Sequence, residues 1–380
     1  MRIAFLVPSL GTLEGQGGVD HELLKRVAAA GHRVDVWAGI VPPATASLQG
    51  VRVHRVPRLP AWQLGNQLIS LAATTAALRR GRYDVIHADA GVTLRRADVM
   101  VCHTLSDRWL GLPREIWQEP GARGWNHGAA TRFKARLEIA QYRKARVVLA
   151  NSDATAADLV ARGVDAARVR VLPFGIDAHR FRPPTAEERR EARATFGIPA
   201  DAFVAVMVGA HGERKGLPVA LDALAAAAQG EHLLVAGEHR GGRWVRDAAA
   251  RGLPAVMPGK LDDVRAAYWA ADALVCPSRY DAFGMAVLEA MACGLPVVVA
   301  REAGSHELVR DAGFVLATSD AAAIRSALDS LRADTAKRTA MGARARDIAV
   351  KRDWDKAGAM LLDVYASLTG DAHGRATSAA

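Results

Sequence analysis

Short apolar runs recur along the chain and alternate with longer stretches rich in Ala, Leu and Arg. These runs are residues 2–7, 34–37, 85–87, 147–150, 204–208, 233–236 and 274–276. Each is nearly continuous in apolar character, as expected of parallel strands whose two faces are both covered by helices. Because the intervening stretches have helical character, the pattern predicts βαβ repeats and an α/β fold with doubly wound parallel sheets.

The length of the chain fits two such domains. With 380 residues and 50% hydrophobic content, the sequence can fill two α/β domains, each with its own core. Gly175 begins a stretch that reaches the pair Pro183-Pro184, a composition typical of a linker. We therefore expect one domain over residues 1–175 and a second over residues 176–355. Residues 370–380 are small and polar, and we expect them to be disordered.

The chain is basic, with a net charge of +10 and an isoelectric point near 9.9. This charge favours an acidic partner, such as a nucleoside diphosphate, an anionic membrane surface or a nucleic acid. The sequence has neither zinc-finger spacing nor the aromatic signature of RNA-binding domains. We therefore do not expect a nucleic-acid partner.

The sequence also bears on location and on metal binding. It has no run of about 18 apolar residues, and Met1 leads directly into an apolar strand, so we expect a cytoplasmic protein. Cys102, Cys276 and Cys293 lie at no metal-ligand spacing, which predicts buried, reduced thiols without a disulfide. The pair Asp262-Asp263 is expected to cap a helix rather than to hold a metal.

A strand–loop–helix segment near residue 280 carries two carboxylates. The apolar run 273–277 is followed by Asp281, by Phe283-Gly284-Met285 and by a helix that contains Glu289. The start of such a helix offers unpaired backbone N–H groups and a positive dipole end to an anion. The two acids lie eight residues apart, Asp281 in the loop and Glu289 about two turns into the helix. This arrangement predicts a nucleotide-phosphate site in which Asp281 reaches sugar hydroxyls and Glu289 reaches a ribose.

A glycine-rich loop with two cations precedes another predicted helix. Gly209 follows the strand at 203–208, and Arg214 and Lys215 come just before the helix that starts at Leu217. Backbone N–H groups, a helix dipole and two cations converge there, as a diphosphate site requires. We expect Gly209, Arg214 and Lys215 to bind a diphosphate, and a solvated charged turn is the simpler alternative.

The first domain supplies a glycine pair and a histidine. Gly17-Gly18 lies where the first loop enters a helix, so the backbone can approach a ligand without a Cβ in the way. His103 ends a strand, and the carboxyl edge of parallel strands lines the ligand crevice of such sheets. His103 is therefore a candidate to touch the substrate, whereas His87 is more simply a structural residue.

Three segments together resemble one enzyme family. Gly17-Gly18-Val19, the Lys215-Gly216 loop and the Asp281–Glu289 segment resemble, in this order along the chain, elements of retaining glycosyltransferases of the GT-B fold, family 4 (glycosyl transferases group 1). The adjacent Arg214 and Lys215 are similar to the loop of lipopolysaccharide-core glucosyltransferases. Two positions depart from the family pattern, since Asp281 stands where most members have Glu and Ala210 where they have Arg.

The resemblance implies both a fold and a reaction. Two Rossmann-like domains would face each other across a cleft, with the acceptor domain at 1–175, the donor domain at 176–355 and a terminal helix at 356–369 that returns to the first domain. The enzyme would move a sugar from a nucleoside-diphosphate sugar to an acceptor hydroxyl, without a catalytic metal or another cofactor. The implied catalytic residues are His103, Arg214, Lys215 and Asp281. The implied donor-binding residues are Gly17, Gly18, Gly209, Arg214, Lys215, Asp281, Phe283, Gly284, Met285 and Glu289.

Basic and aromatic residues interleave between residues 106 and 146. This mixture is typical of an interfacial element, and in related transferases this part of the first domain binds the acceptor. The segment therefore predicts contact with an anionic membrane or an acidic acceptor, and a solvated helix pair over the sheet is the alternative. The acceptor is left open among a glycan, a lipid and a small molecule.

Other functions fit the same residues. A nucleotide-sugar epimerase of the same fold would act without an acceptor, and a phosphorylase would need a pyridoxal lysine that the sequence does not identify. A non-catalytic protein that binds a nucleotide sugar or a membrane surface is favoured by Asp281 and Ala210, the two departures from the family pattern. Donor turnover measured with a panel of acceptors separates these functions.

Overall fold

A computed structural model describes residues 1–11, 15–60, 62–117, 121–210, 212–225, 230–237 and 242–370, with the backbone alone at 115, 117 and 121–123. The chain divides into two compact units. Unit 1 comprises Met1–Gly175 and the segment that starts at Trp354, and unit 2 comprises Ile176–Asp353. Residues 371–380, which form most of the tail expected to be disordered, lie outside the described residues.

Unit 1 is built on a seven-stranded parallel sheet. Its strands are β1 (Arg2–Leu6), β2 (Arg33–Ala38), β3 (Val51–Arg55), β4 (Val85–Asp89), β5 (Val99–Cys102), β6 (Val147–Ala150) and β7 (Val169–Val171). They are arranged in the order β3-β2-β1-β4-β5-β6-β7. The chain thus leaves β1 toward one edge and resumes on the other side of β1 with β4, which makes β1/β4 the point where the strand order reverses.

Helices connect these strands, as the alternating pattern predicts. They are α1 (Gly15–Ala29), α2 (Pro43–Ala46), α3 (Gln63–Arg80), α4 (Ser106–Leu110), α5 (Arg114–Trp117), α6 (Gly121–Lys144), α7 (Asp153–Ala161) and a 3₁₀ turn (Ala166–Arg168).

Unit 2 repeats this plan with a six-stranded parallel sheet. Its strands are β8 (Phe203–Val208), β9 (Glu231–Ala236), β10 (Ala255–Gly259), β11 (Ala273–Cys276), β12 (Val297–Ala300) and β13 (Gly313–Leu316). Their order is β10-β9-β8-β11-β12-β13, so the strand order reverses at β8/β11. Its helices are α8 (Ala186–Thr195), α9 (Gly212–Lys215), α10 (Leu217–Ala225), α11 (Arg243–Ala250), α12 (Arg265–Ala270), α13 (Met285–Ala292), α14 (His306–Val309), α15 (Ala321–Ala333) and α16 (Thr335–Ala349).

The central strands of both units are covered on both faces. The residues of β12 are fully buried, and so are Ile3, Phe5 and Leu6 of β1. Burial on both faces explains why these strands read as continuous apolar runs rather than as alternating ones. The predicted α/β fold with doubly wound parallel sheets is confirmed.

The last helix, α17 (Trp354–Thr369), belongs to unit 1 and packs on α1 and β4. It begins two residues before the expected start at 356. Trp354 is buried and its ring lies 6.3 Å from that of Phe174, which holds the first turn of the helix in unit 1. None of the described helices combines the length and the apolar character that crossing a bilayer requires.

Candidate active site

The carboxyl ends of β8 and β11 carry the predicted diphosphate residues of unit 2. Gly209 follows β8, and the chain then forms α9, a four-residue helix where the sequence predicted a loop. Arg214 and Lys215 end this helix, and Asp281 lies in the loop after β11. Because ligands of doubly wound sheets bind outside the carboxyl ends of the strands where the order reverses, this is where a ligand of unit 2 is expected.

Lys215, Arg214 and Asp281 form one cluster. Lys215 Nζ donates a hydrogen bond to Asp281 Oδ2, and the guanidinium of Arg214 lies 3.9 Å from the same oxygen. Arg214 also donates to the backbone carbonyl of Tyr280 at 2.8 Å. The exposed fraction of the three side chains is only 12–15%, so a bound anion would meet two poorly hydrated cations.

Asp281 is ionised in this cluster. Burial alone would raise the pKa of its carboxyl, but the attraction of Lys215 and Arg214, aided by a hydrogen bond from the Phe283 amide, lowers this pKa below its usual value. Asp281 therefore neutralises one of the two cations in the free site. The sequence suggested roles for these residues one by one, but their mutual pairing could not be seen in it.

Gly216 allows this close arrangement. Its φ is +79°, and a Cβ at this position would lie 2.0 Å from the backbone oxygen of Pro277. Only glycine fits there, because both the left-handed backbone and the approach of the chain after β11 exclude a side chain. The close approach of the chain after β11 to Gly216 brings Lys215 beside Asp281.

The second predicted carboxylate is buried in unit 2. Glu289 lies on α13, is 9% exposed, and accepts a hydrogen bond from the hydroxyl of Tyr268 at 2.6 Å. Tyr268 is fully buried on α12. Phe283, Gly284 and Met285 lead into α13, where Gly284 is the cap residue and Met285 the first helical residue.

Asp262 and Asp263, which were expected to cap a helix, make no side-chain cap on α12. The N-cap of α12 is Val264, which makes no side-chain cap. Asp263 instead accepts from the Arg265 amide at 3.1 Å and pairs with the Arg265 guanidinium. The prediction of an N-cap at Asp262-Asp263 was wrong because the helix starts later, and the arginine competes for the carboxylate.

In unit 1, Gly17 and Gly18 lie in the first turns of α1, after the end of β1. The Gly17 carbonyl accepts a hydrogen bond from the Gly11 amide at 2.9 Å. A Cβ at Gly17 would lie 2.8 Å from that Gly11 nitrogen, so the close packing of this loop requires glycine there. The predicted pair is thus at the carboxyl end of the strand where the order of unit 1 reverses.

His103 lies just after β5 and contacts two carboxylates. Its Nε2 is 2.9 Å from Asp20 Oδ1 and 3.4 Å from Asp89 Oδ1. Gln16 of α1 donates to the other oxygen of Asp89 at 2.5 Å. The His103 side chain is 6% exposed, and the two acids are buried. We call Asp20, Asp89 and His103 the buried triad.

The triad holds a charged imidazole. Burial opposes the charge, but the attraction of Asp20 and Asp89 outweighs it and raises the pKa of His103 to about 10. Burial and repulsion by Asp89 raise the pKa of Asp20 to about 7. Among the described residues, these three bring potential ligand atoms within 4.8 Å of one another.

Sequence reasoning singled out His103 but missed Asp20, Asp89 and Gln16. Asp89 ends β4 beside the reversal point, so the same strand-end rule that selected His103 could have found it. Asp20 had no such signal, since it appears as one polar residue of a helix.

His87 and the three cysteines lie buried in their own units, as predicted, whereas the role of His103 stays a prediction. His87 is fully buried, its Nδ1 lies 2.6 Å from the hydroxyl of Tyr365, and burial lowers its pKa to about 4. Cys102, Cys276 and Cys293 are buried and free. These groups serve the core of their own units.

Replacing Asp20 with Asn is expected to lower the pKa of His103, because one of the two carboxylates that stabilise the imidazolium is lost. NMR titration of the His103 ring should show it protonated throughout pH 6–8 in the wild type and titrating at lower pH in Asp20→Asn. Asp35→Asn is the matched control, since Asp35 pairs with His54 instead, at 2.8 Å. An unchanged His103 titration in Asp20→Asn would contradict the charge assignment.

Comparison with known proteins agrees with this architecture. The family model described as Glycosyltransferase Family 4 matches residues 14–180, and that described as Glycosyl transferases group 1 matches residues 188–348. A D-inositol 3-phosphate glycosyltransferase of Xylanimonas cellulosilytica is 30% identical, over 95% of this chain and 94% of that protein. The protein of the same description from Saccharomonospora viridis is 31% identical, over 85% and 81% of the two chains.

Solved structures share the fold. WaaG, a glycosyltransferase involved in lipopolysaccharide biosynthesis, superposes with a TM-score of 0.79 at 21% identity, covering 96% of this chain and 99% of that one. HepE of Anabaena, solved in complex with UDP-glucose, gives 0.73 at 21% identity and covers 97% and 100%. The predicted family is confirmed: this chain belongs to the family 4, group 1 glycosyltransferases and has their GT-B fold of two α/β domains.

Proposed function

We propose that this glycosyltransferase takes its sugar from a nucleoside-diphosphate sugar and transfers it with retention of anomeric configuration, without a metal ion. The observation that carries the proposal is the cluster of Lys215, Arg214 and Asp281 at the carboxyl ends of β8 and β11. Two cations that are only 12% and 14% exposed are suited to stabilise a diphosphate leaving group, the task that a divalent ion performs in other enzymes. The UDP-glucose complex of HepE supports the same class of donor.

The chemistry asked of the protein is stabilisation of charge. The bond between the anomeric carbon and the phosphate oxygen breaks, and its electron pair leaves with the diphosphate. The acceptor oxygen bonds to the same face of the carbon while its hydroxyl proton passes to the departing phosphate oxygen. Negative charge grows on the diphosphate while the carbon becomes oxocarbenium-like. Lys215 and Arg214 would meet that negative charge, an effect worth a few kcal/mol per preorganised donor. A front-face reaction of this kind requires no protein nucleophile.

The other residues have proposed roles of their own. Asp281 would bind the sugar hydroxyls. Glu289, which Tyr268 orients, would bind the ribose. His103 would contact the sugar or the acceptor. Because His103 is held as an imidazolium, it would donate a hydrogen bond and would not act as a base. The remaining proposed donor contacts are Gly17, Gly18, Gly209, Phe283, Gly284 and Met285.

For the acceptor, we propose a hydroxylated small molecule. The curated relatives named above are called D-inositol 3-phosphate glycosyltransferases, which favours a cyclic polyol over a polymeric glycan. The proposal is tested by incubating the protein with UDP-glucose, GDP-mannose and ADP-glucose and a panel of acceptors, with and without EDTA. Proton NMR of the product should show the donor's own anomeric configuration and an EDTA-insensitive rate. An inverted product, or loss of the rate in EDTA, would overturn the mechanism.

We also propose that the enzyme works in the cytoplasm in peripheral contact with an anionic membrane through residues 106–146. Trp125 of α6 is 68% exposed, and Arg136 of the same helix is exposed. An exposed ring on the same helix as exposed cations suits the interface of an anionic bilayer. Arg132→Glu with Arg136→Glu should reduce co-sedimentation with phosphatidylglycerol vesicles severalfold, because each charge reversal repels the lipid. The control Arg190→Glu, on α8 of unit 2, should behave as the wild type, and equal binding by all three would refute the membrane contact.

A further inference from the structure

The loop after β12 lies against the loop that carries Asp281. The Asp281 amide donates a hydrogen bond to the Glu302 carbonyl at 3.0 Å, and the Asp281 carbonyl accepts one from the Gly304 amide at 2.9 Å. The next amide of this loop, that of Ser305, donates to the Phe283 carbonyl at 2.8 Å. Backbone bonds therefore set the position of Ser305 beside the diphosphate cluster.

The hydroxyl of Ser305 has no hydrogen-bond partner among the described residues, although the residue is fully buried. Ser305 is the N-cap residue of α14, where a serine side chain usually accepts a hydrogen bond from the helix backbone. It makes no such cap here. A buried hydroxyl without a partner destabilises a folded protein, so the fold alone does not account for this serine.

Gly284 brings the Ser305 hydroxyl and the Asp281 carboxylate to the same place. Its φ is +92°, and a Cβ on it would lie 3.1 Å from Ser305 Oγ and 3.4 Å from Asp281 Oδ2. The two oxygens thus border one small space, which is open because position 284 has no side chain. A hydroxyl that can donate a hydrogen bond therefore lies beside the carboxylate without bonding to it.

Asp281 would lose its present partners when a diphosphate binds. In the free site its Oδ2 accepts from Lys215 and lies 3.9 Å from the guanidinium of Arg214. A diphosphate carries more negative charge than one carboxylate, so it attracts both cations more strongly. The Asp281 side chain is only 15% exposed, and a poorly hydrated carboxylate needs other hydrogen bonds to remain charged.

We propose that Ser305 is a positioning residue of the donor site, whose hydroxyl donates to Asp281 once the cations have moved to the diphosphate. The new hydrogen bond keeps the carboxylate charged and directed at the sugar hydroxyls. The free protein gives up some stability by leaving the hydroxyl without a partner, and the donor complex recovers it. This inference rests on the proposed transferase function and adds a residue to its donor site.

The test is Ser305→Ala, in which the hydroxyl alone is removed. The Tm of the free protein should not fall, because the group that is lost has no partner there. Calorimetry with UDP, GDP and ADP identifies the nucleotide that the wild type binds most tightly. The affinity for that nucleotide should fall about tenfold in Ser305→Ala, the effect of losing a hydrogen bond to a charged group.

A double-mutant cycle shows whether Ser305 acts through the carboxylate. In the Asp281→Asn background, Ser305→Ala should change nucleotide affinity by less than about twofold, since no charge remains for the hydroxyl to stabilise. The matched control is Ser330→Ala on α15, which removes a hydroxyl that accepts from Lys337 Nζ at 2.8 Å. This variant should bind the nucleotide as the wild type does.

Unchanged nucleotide affinity in Ser305→Ala would make the serine structural and overturn the proposal. An equal loss of affinity with Asp281 and with Asn at position 281 would do the same, because the hydroxyl would then act without the carboxylate. Transfer from UDP-glucose, GDP-mannose and ADP-glucose is measured in the same preparations. A wild type that binds a nucleotide but transfers no sugar refutes the transferase function, whereas the binding results still decide the role of Ser305.

Discussion

Replacing Lys215 with alanine is expected to reduce kcat/KM for sugar transfer by about 10²- to 10³-fold, the effect of removing one preorganised donor from a developing charge. Lys215 is 14% exposed and sits at the end of α9, where its ammonium group would meet the leaving diphosphate. A cation in so dry a place stabilises an anion more than a surface lysine does. The loss should appear mainly in kcat, because the negative charge grows as the bond breaks.

The fold should survive this change, because Arg214 remains 3.9 Å from Asp281 and still compensates its charge. Thermal unfolding followed by circular dichroism checks this point. Lys351→Ala removes the same charge from an exposed position of unit 2 and should retain full activity. A near-normal kcat in folded Lys215→Ala protein would remove Lys215 from the proposed role.

Asp281→Asn is expected to change nucleotide binding and turnover in opposite directions. In the free site Asp281 pairs with Lys215 and lies near Arg214, so it cancels part of the charge that a diphosphate would use. Without the carboxylate, UDP should bind about tenfold more tightly, since roughly 1.4 kcal/mol of opposing electrostatic interaction is removed. Turnover should fall about 100-fold, because the proposed contact to the sugar hydroxyls is lost.

Calorimetry with UDP and steady-state kinetics measure the two effects separately. Asp222→Asn is the matched control, since Asp222 pairs with Arg251 on the surface at 2.7 Å. If UDP affinity falls in Asp281→Asn, the carboxylate does not compete with the diphosphate for these cations, and the proposed electrostatics are wrong.

The pH dependence of the Asp281–Lys215 pair follows from the direction in which the pKa of Asp281 is shifted. The pKa of Asp281 is lower in the folded protein than the ordinary value of about 3.9, so its charge stabilises the fold above that value. The contribution is lost only as the pH falls through the lower folded pKa. Between pH 5 and pH 8, Asp281 should therefore cause no inflection in stability or activity.

The sequence was sufficient to predict the central strands of both sheets and the positions of the site loops. Runs such as 204–208 and 274–276 became β8 and β11, because fully covered parallel strands need apolar residues on both faces. The glycine and cation pattern after β8 and the acid after β11 were placed at strand ends, where the structure has them. Local composition carries this information.

Relations between distant segments could not be read in the same way. Lys215 and Asp281 are 66 residues apart, and their pairing depends on β8 and β11 being neighbours in the sheet. The buried triad joins residues of α1, β4 and the end of β5, so Asp20 acquires its meaning only when these elements pack together. The pattern of a single segment contains neither fact.

The division of the chain affects the order in which a nascent protein can mature. Unit 2 is one continuous stretch, whereas unit 1 is completed by α17, in which Leu361 and Tyr365 are fully buried. While the ribosome is still making the last helix, the sheet of unit 1 lacks the cover that α17 gives to β4, although all its strands have emerged. In multidomain proteins the N-terminal domain usually folds first during synthesis. Here unit 1, whose sheet is synthesised first, becomes fully native only after unit 2, because it needs α17.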